Sequence, residues 1–115
     1  MNVIEKLARR KSEIVREIAA LGPMRKGSLC QQFVEATRRD GSKVRRGPYT
    51  IYSFKEKNKT RSRRIGDPKR AAVYREQINS FRRFQQLSAG LVEVSQRLAD
   101  RIAEKQGAEK KTSPA

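Results

Sequence analysis

The chain has 115 residues and a mass of 13.2 kDa, and its 28 Lys and Arg residues against 12 Asp and Glu residues give a formal net charge of +16. It has no His and a single cysteine, Cys30, which excludes His-based catalytic triads, His-ligated metals, a cysteine zinc site and an internal disulfide. These features argue against an enzyme and against a cofactor, and they favour a protein that binds a polyanion.

The size and hydropathy of the chain predict one small cytoplasmic domain over residues 1–107. The seven aromatic residues all lie between Phe33 and Phe84, so we expect the centre of the chain to fold. No apolar run approaches the roughly 20 residues that a membrane span needs. Charged residues at Glu5 and Lys6 come too early for a signal peptide, so we expect no membrane association.

An amphipathic helix is predicted over residues 2–21. Its apolar residues recur every three or four positions, with Lys11 as a gap, as on one face of a helix. They are Ile4, Leu7, Ile14, Ile18 and Leu21. We expect Gly22 and Pro23 to end this helix, because Gly tolerates a left-handed cap and Pro cannot continue the hydrogen-bond ladder.

The middle of the chain predicts three strands joined by short turns. Within a sheet over residues 28–65, the strand segments are residues 29–37, 49–54 and 59–65. Asp40-Gly41 and Lys57-Asn58 are typical turn pairs. Because short connections join antiparallel neighbours, we predict a three-stranded antiparallel meander.

A second, much longer helix is predicted over residues 68–106. Asp67 is a typical N-cap and Pro68 fits the first helical position, while Gly107 is expected to end the helix. Its apolar residues again recur every three or four positions, and they are Tyr74, Ile78, Phe81, Phe84, Leu87, Leu91, Val94, Leu98 and Ile102. Residues 108–115 lack this periodicity and are expected to form a disordered tail.

These elements define an α+β fold with an N-terminal helix, a three-stranded antiparallel meander and a long C-terminal helix. At about 1.5 Å per residue, the second helix is longer than a small domain is wide, so we expect it to need a partner along its length. The first helix, packed antiparallel against it as a stalk, supplies part of that contact. A second copy of the chain is one candidate to cover the rest.

Most of the charge excess lies between residues 23 and 66, which hold 13 basic and three acidic residues. Lys and Arg side chains on such a surface release condensed counterions when they meet phosphates, and Arg also offers a bidentate fork to phosphate or guanine. We therefore predict a nucleic-acid-binding surface on the sheet and its loops. Its residues are Arg38, Arg39, Lys43, Arg45, Arg46, Lys59, Arg61, Arg63 and Arg64.

Alternation at period two divides the third strand into two faces. One face has Lys59, Arg61 and Arg63, and the other has Thr60, Ser62 and Arg64. We prefer the first face for contact with the major groove, with Arg45 and Arg46 holding the backbone. The alternative is that these charges only keep the strands soluble and block pairing at the sheet edges.

Three further side-chain types have simpler explanations than catalysis or ligand binding. Tyr49 and Tyr52 are candidates for stacking on bases, but strand aromatics more often form the core, and we expect that role. Asp40 and Asp67 are explained by a turn and a helix cap rather than by a metal site. Cys30 is expected to be a small buried apolar side chain.

Several short elements follow one another along the chain. They are Gly22-Pro23, Gly27-Ser28-Leu29, Gly47-Pro48-Tyr49, Lys59-Thr60-Arg61 and the Phe-Arg-Arg-Phe stretch within residues 79–84. Over residues 20–100, this order resembles a family of small basic bacterial proteins of unassigned function that are often encoded near transposases and other mobile elements. Many of those relatives carry a cysteine cluster before the Gly-Pro-Tyr element, and this chain has none there. The resemblance implies a mobile-element setting and a loop held without a metal.

Together these features predict a non-enzymatic accessory protein that binds duplex DNA through its basic sheet and associates with the nucleoid. Its long helix is expected to form a homodimer or to bind a protein such as a transposase. One alternative is an RNA-binding subunit of a ribonucleoprotein, because phosphate contacts look alike on both polymers. The other is a coiled-coil interaction protein whose basic middle meets an acidic partner.

Overall fold

The computed structural model describes residues 2–112, with side chains described as far as Gly107. Its elements in chain order are α1 (Val3–Ala19), β1 (Ser28–Thr37), β2 (Lys43–Glu56), β3 (Lys59–Ile65) and α2 (Pro68–Thr112). This order confirms the predicted α+β fold. Residues 22–81 form one compact unit, here called the sheet unit. Helix α1 and the part of α2 from Arg82 onward form a second compact unit, here called the helical unit.

The three strands form an antiparallel meander in the order β1-β2-β3, so β2 is central and β1 and β3 are edges. Strand β3 has the bounds that the sequence predicts. The two residues between β2 and β3, Lys57 and Asn58, both have positive φ angles, of 51° and 65°, as a tight hairpin turn of the type I′ class requires. The predicted turn at this position is therefore confirmed.

Strand β2 is longer than predicted because residues 43–46 also pair with β1, beyond a short unpaired stretch at residues 47 and 48. The pairing register shifts between Gln32 and Val34, where an extra β2 residue makes a bulge. Gly47 lies in this bulge with φ +123°, and a Cβ atom there would lie 2.9 Å from the carbonyl oxygen of Gln32. Glycine at this position therefore lets β2 continue past the bulge toward the first turn.

The core of the sheet unit lies between one face of the sheet and the first turns of α2. Its buried residues are Tyr52, Ile65, Ala71, Tyr74 and Ile78, with Leu29 and Phe54 packed beside them. The Tyr52 ring stacks on Phe54 and meets Tyr74 edge-on, with centroids 5.0 and 5.1 Å apart, and its hydroxyl donates to the Lys26 carbonyl. The core role predicted for Tyr52 is confirmed.

The two helices of the helical unit run antiparallel. Near the end of α1, Glu17 pairs with Arg83 at 3.1 Å, and one helical turn earlier Ile14 lies against Gly90. Closer to the start of α1, Val3 and Leu7 border the same shallow groove as α2 residues 97–104. Ile14 and Leu87 are the buried apolar side chains of this unit among the described residues.

Both helices begin with a side-chain cap, and the one at Asp67 is the cap that the sequence predicts. The Asn2 side chain accepts the backbone N–H of Glu5 at 2.8 Å, and that of Asp67 accepts the N–H of Lys69 at 3.0 Å. Pro68 is the first residue of α2, where its missing N–H is not needed.

The helix ends differ from the prediction. Helix α1 ends at Ala19, and α2 continues through Gly107 to Thr112, so the predicted end at residue 106 is wrong. An interior Gly costs a helix only about 1 kcal/mol, and the Ala, Glu and Lys residues that follow are good helix formers. Residues 108–112 are thus helical rather than a disordered tail, and residues 113–115 lie outside the described part of the chain.

We expect Gly27→Ala to destabilise the sheet unit by about 2 kcal/mol or more, since positive φ and backbone crowding both oppose a side chain. Gly27 has φ +121°, and a Cβ there would lie 2.5 Å from the Ser53 carbonyl oxygen and 2.6 Å from the Tyr52 ring. Urea unfolding measures the change. Gly22→Ala is the control, because its Cβ would meet no atom within 4 Å. Equal stability of the two variants would contradict this packing.

Candidate nucleic-acid interface

The charge excess is concentrated in the sheet unit. Residues 22–81 hold 16 basic and five acidic residues, a net charge of +11, while the rest of the chain holds 12 and seven, a net charge of +5. Since the two parts have similar lengths, the sheet unit carries about twice the charge density.

Ion pairing makes this difference larger. In the helical unit, four carboxylates pair with arginines, and they are those of Glu13, Glu17, Glu93 and Glu104. In the described part of the sheet unit, the one ion pair joins Arg61 to Glu56 at 3.2 Å, and both side chains are more than half exposed. The positive charge of the sheet unit is thus left almost entirely without carboxylate partners.

Two acidic residues of the sheet unit act on the backbone instead. Asp67 caps α2, and Asp40 closes the β1–β2 turn by accepting the N–H of Ser42 at 2.9 Å and its hydroxyl at 2.6 Å. These hydrogen bonds from Ser42 hold the pKa of Asp40 below its ordinary value. Asp40 and Asp67 therefore have the turn and cap roles that the sequence predicts.

The strand pairing sorts the predicted binding residues between two faces. The covered face is the one that packs on α2 through Tyr52 and Ile65, and it also carries the exposed side chains of Lys59, Arg61 and Arg63. The face preferred for binding from the sequence is therefore only partly free. Its basic residues lie toward the β2–β3 turn, away from the buried end at Ile65.

The opposite face of the sheet, called the open face, has no helix of the sheet unit against it. It carries Cys30, Tyr49, Ile51, Ser53, Lys55, Thr60, Ser62 and Arg64. Cys30 is exposed, so its predicted burial is wrong. The reason is its pairing with Ile51, which puts it on the face away from Tyr52 and the core.

The remaining predicted residues lie near the other end of β2. Arg38 and Arg39 are exposed in the β1–β2 turn, and Lys43 begins β2. Arg45 is opposite Glu35 and Arg46 is opposite Val34, so these two arginines project from opposite faces. The structure thus spreads the predicted site residues along the fourteen-residue strand β2 rather than gathering them in one cluster.

Several arginines lie over aromatic rings, a contact that the sequence pattern alone does not reveal. The guanidinium carbon of Arg64 is 3.7 Å from the ring centroid of Tyr49, and that of Arg45 is 3.9 Å from the centroid of Phe33. Stacking of this kind uses the flat side of the guanidinium and leaves its N–H edge available for an anion. Arg64 and Arg45 are therefore oriented without a carboxylate.

Tyr49 differs from Tyr52 in its surroundings. It is only partly buried, on the open face under Arg64, so the core role predicted for it is wrong. Residues three apart in a strand lie on opposite faces, and this spacing could have separated the two tyrosines.

The described part of the chain shows neither a cluster of metal ligands nor a membrane-spanning helix. Among the side chains of residues 2–107, no three His, Cys, Asp or Glu residues come together as metal ligands. Neither of the helices in this range has an apolar stretch long enough to span a bilayer.

Comparison with known protein families places much of the chain in a family. A family model described as Domain of unknown function (DUF6788) matches residues 4–75, which include α1, the whole sheet and the start of α2. No curated protein and no solved structure matches the chain.

We expect Ser42→Ala to raise the pKa of Asp40 toward its ordinary value, because the variant loses the hydroxyl that contributes most to the shift. A carboxyl with a lowered folded-state pKa stabilises the turn above its unfolded pKa, and this effect is lost as the pH falls through the folded pKa. Carboxyl-carbon NMR titration measures the shift. Ser53→Ala, distant from Asp40 on the open face, should leave that pKa unchanged. An unchanged pKa in Ser42→Ala would contradict the hydrogen bonds.

Proposed function

The chain belongs to this family of unknown function, and from the geometry of its own residues we propose that it is a non-enzymatic nucleic-acid-binding protein. The observation that carries the proposal is the unpaired positive charge of the sheet unit. With 16 basic residues and one ion pair among its described side chains, this unit is suited to a polyanion. Duplex DNA is the proposed ligand.

The positions of these exposed cations favour a polymeric ligand over a compact anion. A small phosphate is held by cations that converge on one point, whereas these are spread along β2. A strand of 14 residues spans roughly 45 Å, which exceeds one helical turn of DNA at roughly 34 Å. A phosphodiester backbone offers charges along such a distance.

The energetics of this contact are electrostatic. Each phosphate that meets Lys or Arg releases condensed counterions, and unpaired arginines need not first break a salt bridge. Arg61 is the exception, yet its pair with Glu56 is exposed and therefore worth only about 0–1 kcal/mol. Binding of this kind is strong at low salt and carries little sequence information.

An RNA ligand is the second candidate, and the Tyr49–Arg64 stack favours it. Single-stranded RNA is recognised through bases that stack on aromatic rings or on Arg guanidinium planes, and this pair offers such a plane on the open face. The same experiments that test DNA binding separate the two ligands.

The proposed setting follows from the ligand and from the resemblance to mobile-element proteins. A DNA-binding role implies that the protein is cytoplasmic and associates with the nucleoid. The resemblance favours a protein that acts together with a transposase. The helical unit leaves Val15 and Val92 exposed, at 47% and 64%, and these apolar side chains are candidates for contact with a second copy or another protein.

We expect the double variant Arg61→Ala, Arg63→Ala to bind duplex DNA at least about tenfold more weakly at low salt. The slope of log affinity against log salt should fall by about 2, one unit for each lost phosphate contact. Titration with duplex DNA, duplex RNA and single strands at several salt concentrations measures both quantities and ranks the ligands.

Arg97→Ala, Arg101→Ala is the matched control for that variant. It removes the same charge from the helical unit, where both arginines pair with glutamates, and we expect an unchanged salt slope. Equal losses in the two double variants would show that net charge alone matters and would contradict a site on the sheet. Absence of binding to any nucleic acid by the unaltered chain would overturn the proposal.

Glu56→Gln should act in the opposite direction. It removes the one carboxylate that pairs with Arg61, so binding to DNA should tighten by a few-fold while the free energy of unfolding changes by less than about 1 kcal/mol. Glu93→Gln in the helical unit, which frees Arg97, is the control and should leave affinity unchanged. Weaker binding by Glu56→Gln would contradict a phosphate contact at Arg61.

A further inference from the structure

A groove lies in the sheet unit at the point where β3 ends while β2 continues. One side is formed by residues 47–50 of β2, and the other by residues 64–66 and Pro68, which lead into α2. Its volume is about 360 Å³, at the lower end of the range for small-ligand sites. We call it the Tyr49 groove.

The lining of the Tyr49 groove is largely uncharged. Arg64 is its single charged residue, and the other lining residues are Gly47, Pro48, Tyr49, Thr50, Ile65, Gly66 and Pro68. A bare phosphate is best held by several cations and N–H donors, as in the clusters that surround bound anions. This groove is therefore poorly matched to phosphate alone and better matched to a flat, mostly apolar group with a polar edge.

Arg64 supplies a flat surface at this groove. Its guanidinium lies 3.7 Å from the ring centroid of Tyr49, so one side of its plane is occupied by the tyrosine. Arg64 is an exposed residue, so a ligand can reach its guanidinium. Bases stack readily on Arg guanidinium planes as well as on aromatic rings.

We infer that the Tyr49 groove binds one unpaired nucleobase, which stacks on Arg64 as the third layer above Tyr49. The N–H edge of the guanidinium is left for the sugar-phosphate of the same nucleotide. A base inside a duplex has both faces stacked on its neighbours, so only an unpaired or extruded base can enter. This inference rests on the proposed function and narrows its ligand to nucleic acid with at least one unpaired nucleotide.

The test uses the fluorescent base 2-aminopurine, whose emission falls when it stacks. It is placed as the single unpaired nucleotide in a DNA hairpin, and a fully paired hairpin with the same label is the comparison. We expect the full chain to quench the unpaired label and to bind that hairpin about tenfold more tightly than the paired one.

Arg64→Lys separates stacking from charge, because it keeps the positive charge and removes the planar group. We expect this variant to lose the quenching and the tenfold preference, with an unchanged salt slope. Arg75→Lys is the control, since Arg75 is an exposed arginine of α2 in the same unit and lies outside the proposed binding residues. It should retain both properties.

Tyr49→Phe and Tyr49→Leu test the layer beneath Arg64. The Phe variant keeps the ring and should behave as the unaltered chain, while the Leu variant should lose the quenching. Thermal unfolding by circular dichroism confirms that each variant is folded before it is compared.

The outcomes distinguish this inference from the proposed function. Quenching that persists in Arg64→Lys would overturn the base site. Salt-dependent binding with no quenching and no preference for the unpaired hairpin would also overturn it, and the proposed function would stand. Absence of binding to either hairpin and to single strands would overturn both.

Discussion

The contact between one face of a three-stranded sheet and a single helix determines the rest of the sheet unit. Tyr52 and Ile65 from the sheet pack on Ala71, Tyr74 and Ile78 of α2, and this small cluster is the whole buried core of the unit. Because the sheet unit contains one helical segment, that segment covers one face of the sheet within the unit. The side chains at the alternate positions of the strands take no part in this core.

The small size of this core determines which groups surround the basic residues. A thin core has no room for ionic groups, and no polar or charged residue is buried among the described side chains. The acidic residues are few, and those at positions 40 and 67 serve a turn and a helix cap. The arginines are consequently stabilised against aromatic rings more than against carboxylates, with Arg25 on Tyr74 as a third case at 3.8 Å. Rings do not neutralise charge, so the electrostatic field of the sheet unit stays positive.

The sequence predicts most of this fold and only part of the candidate site. Strand β3 is bracketed by a two-residue turn and by the Asp67-Pro68 helix start, so its bounds are readable. The extension of β2 is not, because Gly47 and Pro48 normally argue against a strand and are tolerated here only by a bulge. The stacking of Arg64 on Tyr49 depends on cross-strand register, which no single strand specifies. Gly107 wrongly predicts the end of α2. The low helix propensity of this one glycine is outweighed by the helix-forming residues on either side of it.

The stacked arginines also change what a ligand must do to bind. A free Arg side chain on a protein surface gives up roughly 2 kcal/mol of rotamer entropy when it is fixed in one geometry. Arg45 and Arg64 are already restricted by Phe33 and Tyr49, so much of that ordering has taken place before an encounter. Association at these two positions should therefore resemble docking onto a rigid template, with a smaller entropic penalty than at the unstacked lysines around them.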